Sequence, residues 1–268
     1  MYDFALLAAP PERLVLLDHG TFRVTAAAEP RTILIPGWLI TTAAGENVLV
    51  DGGFPEKYLA DAAAAAAEDG LGTFGAFASV SARNGAAAQL ALCGVRPGAV
   101  DVHVLTHTHI DHLGGLGVAP RAPVVIGAPE RAMPRPAPMF QPAGAPMDWP
   151  DRDWRPVDGA ARLGPGIKAH LAPGHAPGQL ALLIEVPGTR PVMLMSDAAS
   201  RPGEVAEGFA GTADREAAIL SAARMLALAA ERDAEVIWGH CPAQRTSLPR
   251  APAPLRQAAA VAAVPRRA

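Results

Sequence analysis

A chain of 268 residues can bury a sizeable core, as one large domain or two small ones. Half of it is hydrophobic, and 23 basic against 26 acidic side chains leave a net charge of −3. That balance excludes a phosphate-tracking surface, and nucleic acid with it. No apolar stretch approaches the roughly 18–20 residues that span a bilayer, so no membrane partner is expected. Met1-Tyr2-Asp3-Phe4 lacks the basic start of a signal peptide, which points to the cytoplasm. Cys93 and Cys241 are too few for a disulfide framework and read as reduced thiols.

In chain order, residues 14–17, 32–41 and 47–50 read as strands, the last closed by the turn Asp51-Gly52-Gly53. Residues 56–69 are Ala-rich and predict one helix stopped by Gly70. Asn84 reads as the N-cap of a second helix reaching Cys93-Gly94. Residues 100–106 form a β-branched strand, which completes a βαβ-like alternation. From Pro120 to Pro156 ten prolines exclude a continuous helix or a central strand. This segment reads either as a loop covering a substrate pocket or as a surface connector. Met133, Met139, Phe140 and Trp149 would form the pocket wall in the first case.

The second half repeats the rhythm. Strands are expected at 167–171, 180–186, 192–195 and 235–238, with a long helix capped by Thr212 or Asp214 and running to Glu231. Layered α/β architecture with approximate internal duplication follows from this element order. Residues 1–248 form the folded domain in this reading. Residues 249–268 are a Pro/Ala-rich tail expected to be frayed or loosely docked.

The densest chemistry is His107-Thr108-His109-Ile110-Asp111-His112, followed by Leu113-Gly114-Gly115. Four ligand-type side chains in six residues arrive directly from a strand. His107 and His109, two apart in extended backbone, project to one side. His175, Asp197 and His240 each end a strand or occupy the loop after it. Seven such groups at sheet ends match a two-metal site with one bridging carboxylate. Imidazole and carboxylate without thiolate suit zinc, iron or manganese. Asp51 is either a turn residue or a support for a metal-binding histidine. His19, His103 and His170 read as structural or exposed, and Cys241 as a buried neighbour of His240.

These residues make the chain similar to the metallo-β-lactamase superfamily, within it to the N-acyl homoserine lactonase-like group. The HxHxDH motif stands as His107, His109, Asp111 and His112, and the later metal positions match His175, Asp197 and His240. The segment from Leu49 to Glu56 looks like that group's LVDTGxPE, and residues 55–100 match its insertion before the motif. The resemblance implies a single-domain, four-layer αββα sandwich binding two zinc ions. His107, His109 and His175 would hold one ion; Asp111, His112 and His240 the other, with Asp197 bridging. A hydroxide between the ions would attack the carbonyl of a lactone or ester, with Asp111 carrying the proton to the leaving group. Related lactonases often pair, so a homodimer is an expected assembly.

The chain departs from the group's pattern at two places. Ser200 stands where a tyrosine usually bonds the lactone carbonyl, and Tyr2 and Tyr58 are elsewhere. An oxyanion contact worth about 2–4 kcal/mol is then missing or supplied by another group. The PGHxPGH segment ends in Gln179 instead of histidine. Alternative readings are a hydrolase of another ester or thioester, of the glyoxalase II type, and a metal-binding sensor without turnover. For the thioesterase, the 28 residues after His240 are short for an added glutathione-binding region.

Overall fold

The computed structural model describes residues 2–26, 29–137 and 147–258. Among these, the first half contributes strands β1 (Tyr2–Asp3), β2 (Pro11–Val24), β3 (Arg31–Thr42), β4 (Asn47–Val50), β5 (Gly75–Ser79), β6 (Val102–Val104) and β7 (Val124–Gly127). The second contributes β8 (Trp154–Val157), β9 (Ala160–Gly164), β10 (Ile167–Leu171), β11 (Leu180–Ile184), β12 (Val192–Leu194), β13 (Glu235–Ile237) and β14 (Arg256–Gln257). They form two sheets. One runs β14-β2-β3-β4-β6-β7-β8, with β5 also on β2; the other runs β1-β9-β10-β11-β12-β13.

Alternation along each strand places one set of apolar side chains between the sheets and the other beneath helices. In β11, Leu180, Leu182 and Ile184 join the core between the sheets, where they meet Val48 and Val50 of β4. Ala181 and Leu183 face outward and pack with Ala218, Ala222 and Met225 of the long helix Arg215–Glu231. On the other sheet Leu49 packs outward against Leu90 of the helix Ala86–Leu92. Ile33, Ile35 and Ile126 pack outward against Tyr58 and Ala65 of the first helices. Two helical layers thus enclose two sheets, which is the expected αββα sandwich.

Several boundaries differ from the sequence reading, each for a local reason. The helix expected over 56–69 is two helices, Glu56–Ala60 and Ala62–Glu68, because Asp61 is extended and its side chain accepts from the backbone N–H groups of Ala63 and Ala64. Gly85, not Asn84, is the N-cap of the next helix. The Asn84 side chain instead serves its own turn, accepting from Ser81 N–H and donating to the Asp18 carbonyl. Residues 120–156 are not one loop: the proline-free Val124–Gly127 fits between β6 and β8 as β7, and a short helix, Ala128–Arg131, follows. Residues 249–258 are not loose either. β14 pairs with β2, and Leu255 and Ala258 pack against the core between the sheets. Both thiols are free. Among the described residues no helix is long and apolar enough to cross a membrane.

Candidate metal centre

Parallel pairing of β4, β6, β7 and β8, and of β12 with β13, brings several strand ends to the same rim. The seven ligand-type residues leave that rim on four loops: 107–112 after β6, His175 after β10, Asp197 after β12 and His240 after β13. The structure brings all seven together. Ligand atoms lie within 4.8 Å of one another in three groups: His107, His109 and His175; His107, His112 and Asp197; and Asp111, His112 and His240. Asp197 faces both ends of the cluster. Its Oδ2 is 3.3 Å from His175 Nε2, and its Oδ1 is 3.2 Å from His240 Nε2. Asp111 reaches His112 Nε2 at 3.6 Å and His240 Nε2 at 3.5 Å through its two oxygens.

Hydrogen bonds behind the cluster decide which nitrogen each imidazole presents. Asp51 Oδ2 takes the Nδ1 proton of His112 at 2.9 Å, and the Leu34 carbonyl takes that of His240 at 2.8 Å. Thr106 donates its hydroxyl proton to Asp51 Oδ2 at 2.8 Å, so toward His107 Nδ1, 3.3 Å away, it can only accept. All three histidines therefore turn Nε2 inward and keep Nδ1 for the frame. The Asp51 backbone, at φ +54°, holds this carboxylate so that its other oxygen also accepts the Thr106 N–H. Thr106 was not singled out from the sequence; it stands immediately before the motif.

The electrostatics call for a cation. Burial, with His112 and His109 beside it, holds His107 well below the usual imidazole range; burial and His175 do the same to His109. Burial presses His112 downward too, but Asp111 and Asp51 outweigh it and lift the group to about 10. At His240, Asp197 overcomes burial and the value rises to about 9. Burial would raise Asp197, yet His240 and His175 keep its carboxyl well below the carboxylate range. Among the described residues, the buried Nε2 atoms of His107 and His112, and Oδ1 of Asp197, have no hydrogen-bond partner. Buried polar atoms are nearly always paired, so convergent unpaired ring nitrogens and a carboxylate oxygen fit a metal, which would take the place of the ring protons. Nitrogen and carboxylate donors without sulfur suit zinc, iron or manganese.

The cluster floors a cleft of about 810 Å³, within the range of small-molecule sites. Ser200 and Met133 line it as expected. Trp149 does not; it packs on Trp154 under the Arg131 guanidinium and donates to the Met133 carbonyl. Met139 and Phe140 lie outside the described residues. Another wall was unanticipated: Phe22, Ile33, Ile35, Phe54 and Leu71, from β2, β3 and the segment after β4. Tyr58 cannot replace the missing tyrosine, because it is buried and its hydroxyl donates to Asp69. His19, His103 and His170 are buried outside the three groups, and Cys241, the residue before the helix Pro242–Ser247, belongs to none of them. Gln179 is buried and donates to the Leu180 carbonyl.

The model of the metallo-beta-lactamase superfamily matches residues 35–240. The chain belongs to that superfamily. N-acyl homoserine lactonase AttM of Agrobacterium fabrum is 29% identical over 267 residues, covering 90% of this chain and 97% of the relative. AiiA, an N-acyl homoserine lactonase of Bacillus thuringiensis subsp. kurstaki, is 27% identical over 242 residues, covering 86% and 90%. A solved N-acyl homoserine lactone hydrolase with N-hexanoyl-L-homoserine at its catalytic metal centre superposes with a TM-score of 0.77. The match covers 91% of this chain and 99% of that one at 22% identity. The dizinc lactonase AidC gives 0.55 at 17% identity, covering 87% and 86%. These structures establish the metallo-β-lactamase fold, and the relatives' names, all hydrolases, agree with the expected enzyme class.

Proposed function

We propose that the chain is a dinuclear, zinc-dependent hydrolase that opens a lactone, of the N-acyl homoserine lactone kind. The observation that carries this reading is Asp197, whose two carboxylate oxygens face the two ends of the histidine cluster. His107, His109 and His175 would hold one ion; Asp111, His112 and His240 the other. When bound, such ions supply Lewis acidity toward the carbonyl and a hydroxide nucleophile at neutral pH. Asp111 stands at the cleft floor, where its carboxylate can take the proton released on attack and pass it to the departing alkoxide. The Phe22, Phe54 and Leu71 wall offers an apolar surface to an acyl chain, while Ser200 lines the same cleft and offers it a hydroxyl. The names of the AttM and AiiA relatives support the lactone as substrate.

Ser200 favours one second reading, a hydrolase of another ester or thioester, since a serine hydroxyl reaches less far than a phenol. Proton release from hexanoyl- and decanoyl-homoserine lactone separates the two. Zinc-loaded protein should release protons rapidly and a chelated sample should not. A fully metallated sample that releases none would remove the homoserine lactone reading and leave the other esters to be tried.

A further inference from the structure

Besides Asp51, Glu130 is a second buried carboxylate near the centre that is absent from the ligand groups. Glu130, on the short helix after β7, is buried and only accepts hydrogen bonds. Its Oε1 takes the Thr108 N–H at 2.9 Å and the Thr108 hydroxyl at 2.5 Å. Its Oε2 takes the Gly178 N–H at 3.0 Å. Thr108 lies between His107 and His109; Gly178 lies three residues after His175. The carboxylate thus joins the two loops that carry the first ligand group, and it touches neither Asp111, His112 nor His240.

The approach is built for this contact. A Cβ on Gly127 would fall 2.0 Å from the Gly178 carbonyl oxygen, and one on Gly178 would fall 2.2 Å from Glu130 Cβ. Two glycines therefore let the helix start press against the His175 loop. Thr108 also extends the clamp outward: its hydroxyl, having given its proton to Glu130, accepts the Ala137 N–H at 3.0 Å.

We propose that Glu130 is a positioning residue for one half of the centre, holding His109 and His175 at the spacing one ion requires. Asp51 does the same for His112 in the other half. The inference rests on reading the cluster as a two-ion centre. Residues behind metal ligands typically change metal affinity by about 10–100-fold when altered. Glu130→Gln keeps the volume but turns an amide N–H₂ toward the Gly178 N–H, or toward Thr108, so one arm is lost.

The test is calorimetric titration of zinc into metal-free protein, with thermal melting of the same samples. Wild type should bind two ions. Glu130→Gln should bind one with unchanged affinity and the other about 10–100-fold more weakly, and its metal-free form should melt lower than wild type, because a buried Gly178 or Thr108 donor loses its partner. Thr108→Ser should behave as wild type and Thr108→Val as Glu130→Gln, which decides the matter if Glu130→Gln does not fold. Equal weakening of both ions, or two unchanged ions in Glu130→Gln and Thr108→Val, overturns the clamp. No zinc bound by wild type would instead overturn the two-ion reading beneath it.

Discussion

The histidine cluster and the cleft above it are held together by different physics. In the cluster, buried hydrogen bonds set orientation: Asp51, Thr106 and the Leu34 carbonyl each fix one ring nitrogen. In the cleft, packing sets shape. Phe22 stacks against Phe54, and Phe77 packs edge-on against both. Polar groups of the cleft are held by near neighbours in sequence: Glu204 accepts the Ser200 N–H at 2.6 Å, and Arg201 donates to Glu207 at 2.5 Å. A hydrogen-bonded frame tolerates little change, because a donor left behind in the interior loses its partner. A packed wall can be recut while the chemistry below it stays intact. The cluster should therefore govern whether reaction occurs, and the cleft which substrate it serves.

The largest break in that division comes from Asp51→Ala. It strips His112, the Thr106 N–H and the Thr106 hydroxyl of one shared buried acceptor. Removing one partner of a buried pair costs about 3–5 kcal/mol. Urea unfolding should register a loss of this size together with loss of zinc. A variant as stable as wild type would show that the frame is not what holds the cluster.

Ser200→Tyr sharpens the comparison from the other side. Ser200 lines the cleft, and its carbonyl accepts the His240 N–H at 2.9 Å, so a phenol there starts beside the centre. An added oxyanion contact at the low end of its range, about 2 kcal/mol, corresponds to about 30-fold in kcat/KM for a homoserine lactone. Zinc stoichiometry should not move. A fall in rate at constant zinc would mean that another cleft group already occupies the carbonyl position.

The difference between the regions also explains what was legible in the sequence. The seven ligand-type residues could be read because they crowd one motif or end apolar strands, and strand ends meet at one rim. Asp51 was half legible for the same reason. Glu130 was not, since its partners lie 22 and 48 residues away and only the packing of Gly127 on Gly178 brings them near. The phenylalanine wall was hidden in strands that read as ordinary core. Trp149 misled in the opposite direction: an aromatic in a proline-rich stretch suggested a pocket, but Arg131 and Trp154 already satisfy it. The break at Asp61 escaped notice because Ala-rich propensity outweighs one residue until its side chain caps the next helix.

A smaller effect separates the frame from the sheet beneath it. His103, on β6, is fully buried, and neither ring nitrogen is bonded among the described residues. Burial lowers it to about 4, with Arg152 pushing the same way and Asp51 opposing. Its value in the unfolded chain is about 6.5, so the unfolded chain binds the extra proton between these limits. Stability is therefore full above about pH 6.5 and is lost as pH falls toward 4, by about 2 kcal/mol at pH 5. His103→Leu removes this acid-sensitive increment. Metal-free wild type and variant should unfold in urea with a difference that shifts by about that amount between pH 7.5 and 5. A difference constant with pH would show that His103 is not held neutral.

The smallest expected effect tests whether the chain end belongs to the frame at all. Arg256 on β14 donates to Glu235 on β13, so one ion pair joins the edge strands of the two sheets. Part-exposed pairs contribute about 0–1 kcal/mol. Arg256→Ala should accordingly lower stability by less than about 1 kcal/mol and leave zinc binding and turnover unchanged, because β14 keeps its pairing with β2. The centre sits at the rim where β6, β10, β12 and β13 end, braced by Asp51 and Glu130, and neither brace touches Arg256. A measurable change in zinc affinity would mean that the spacing of the two sheets at this edge reaches His240 through β13, and that the packed part of the molecule also sets the geometry of the bonded part.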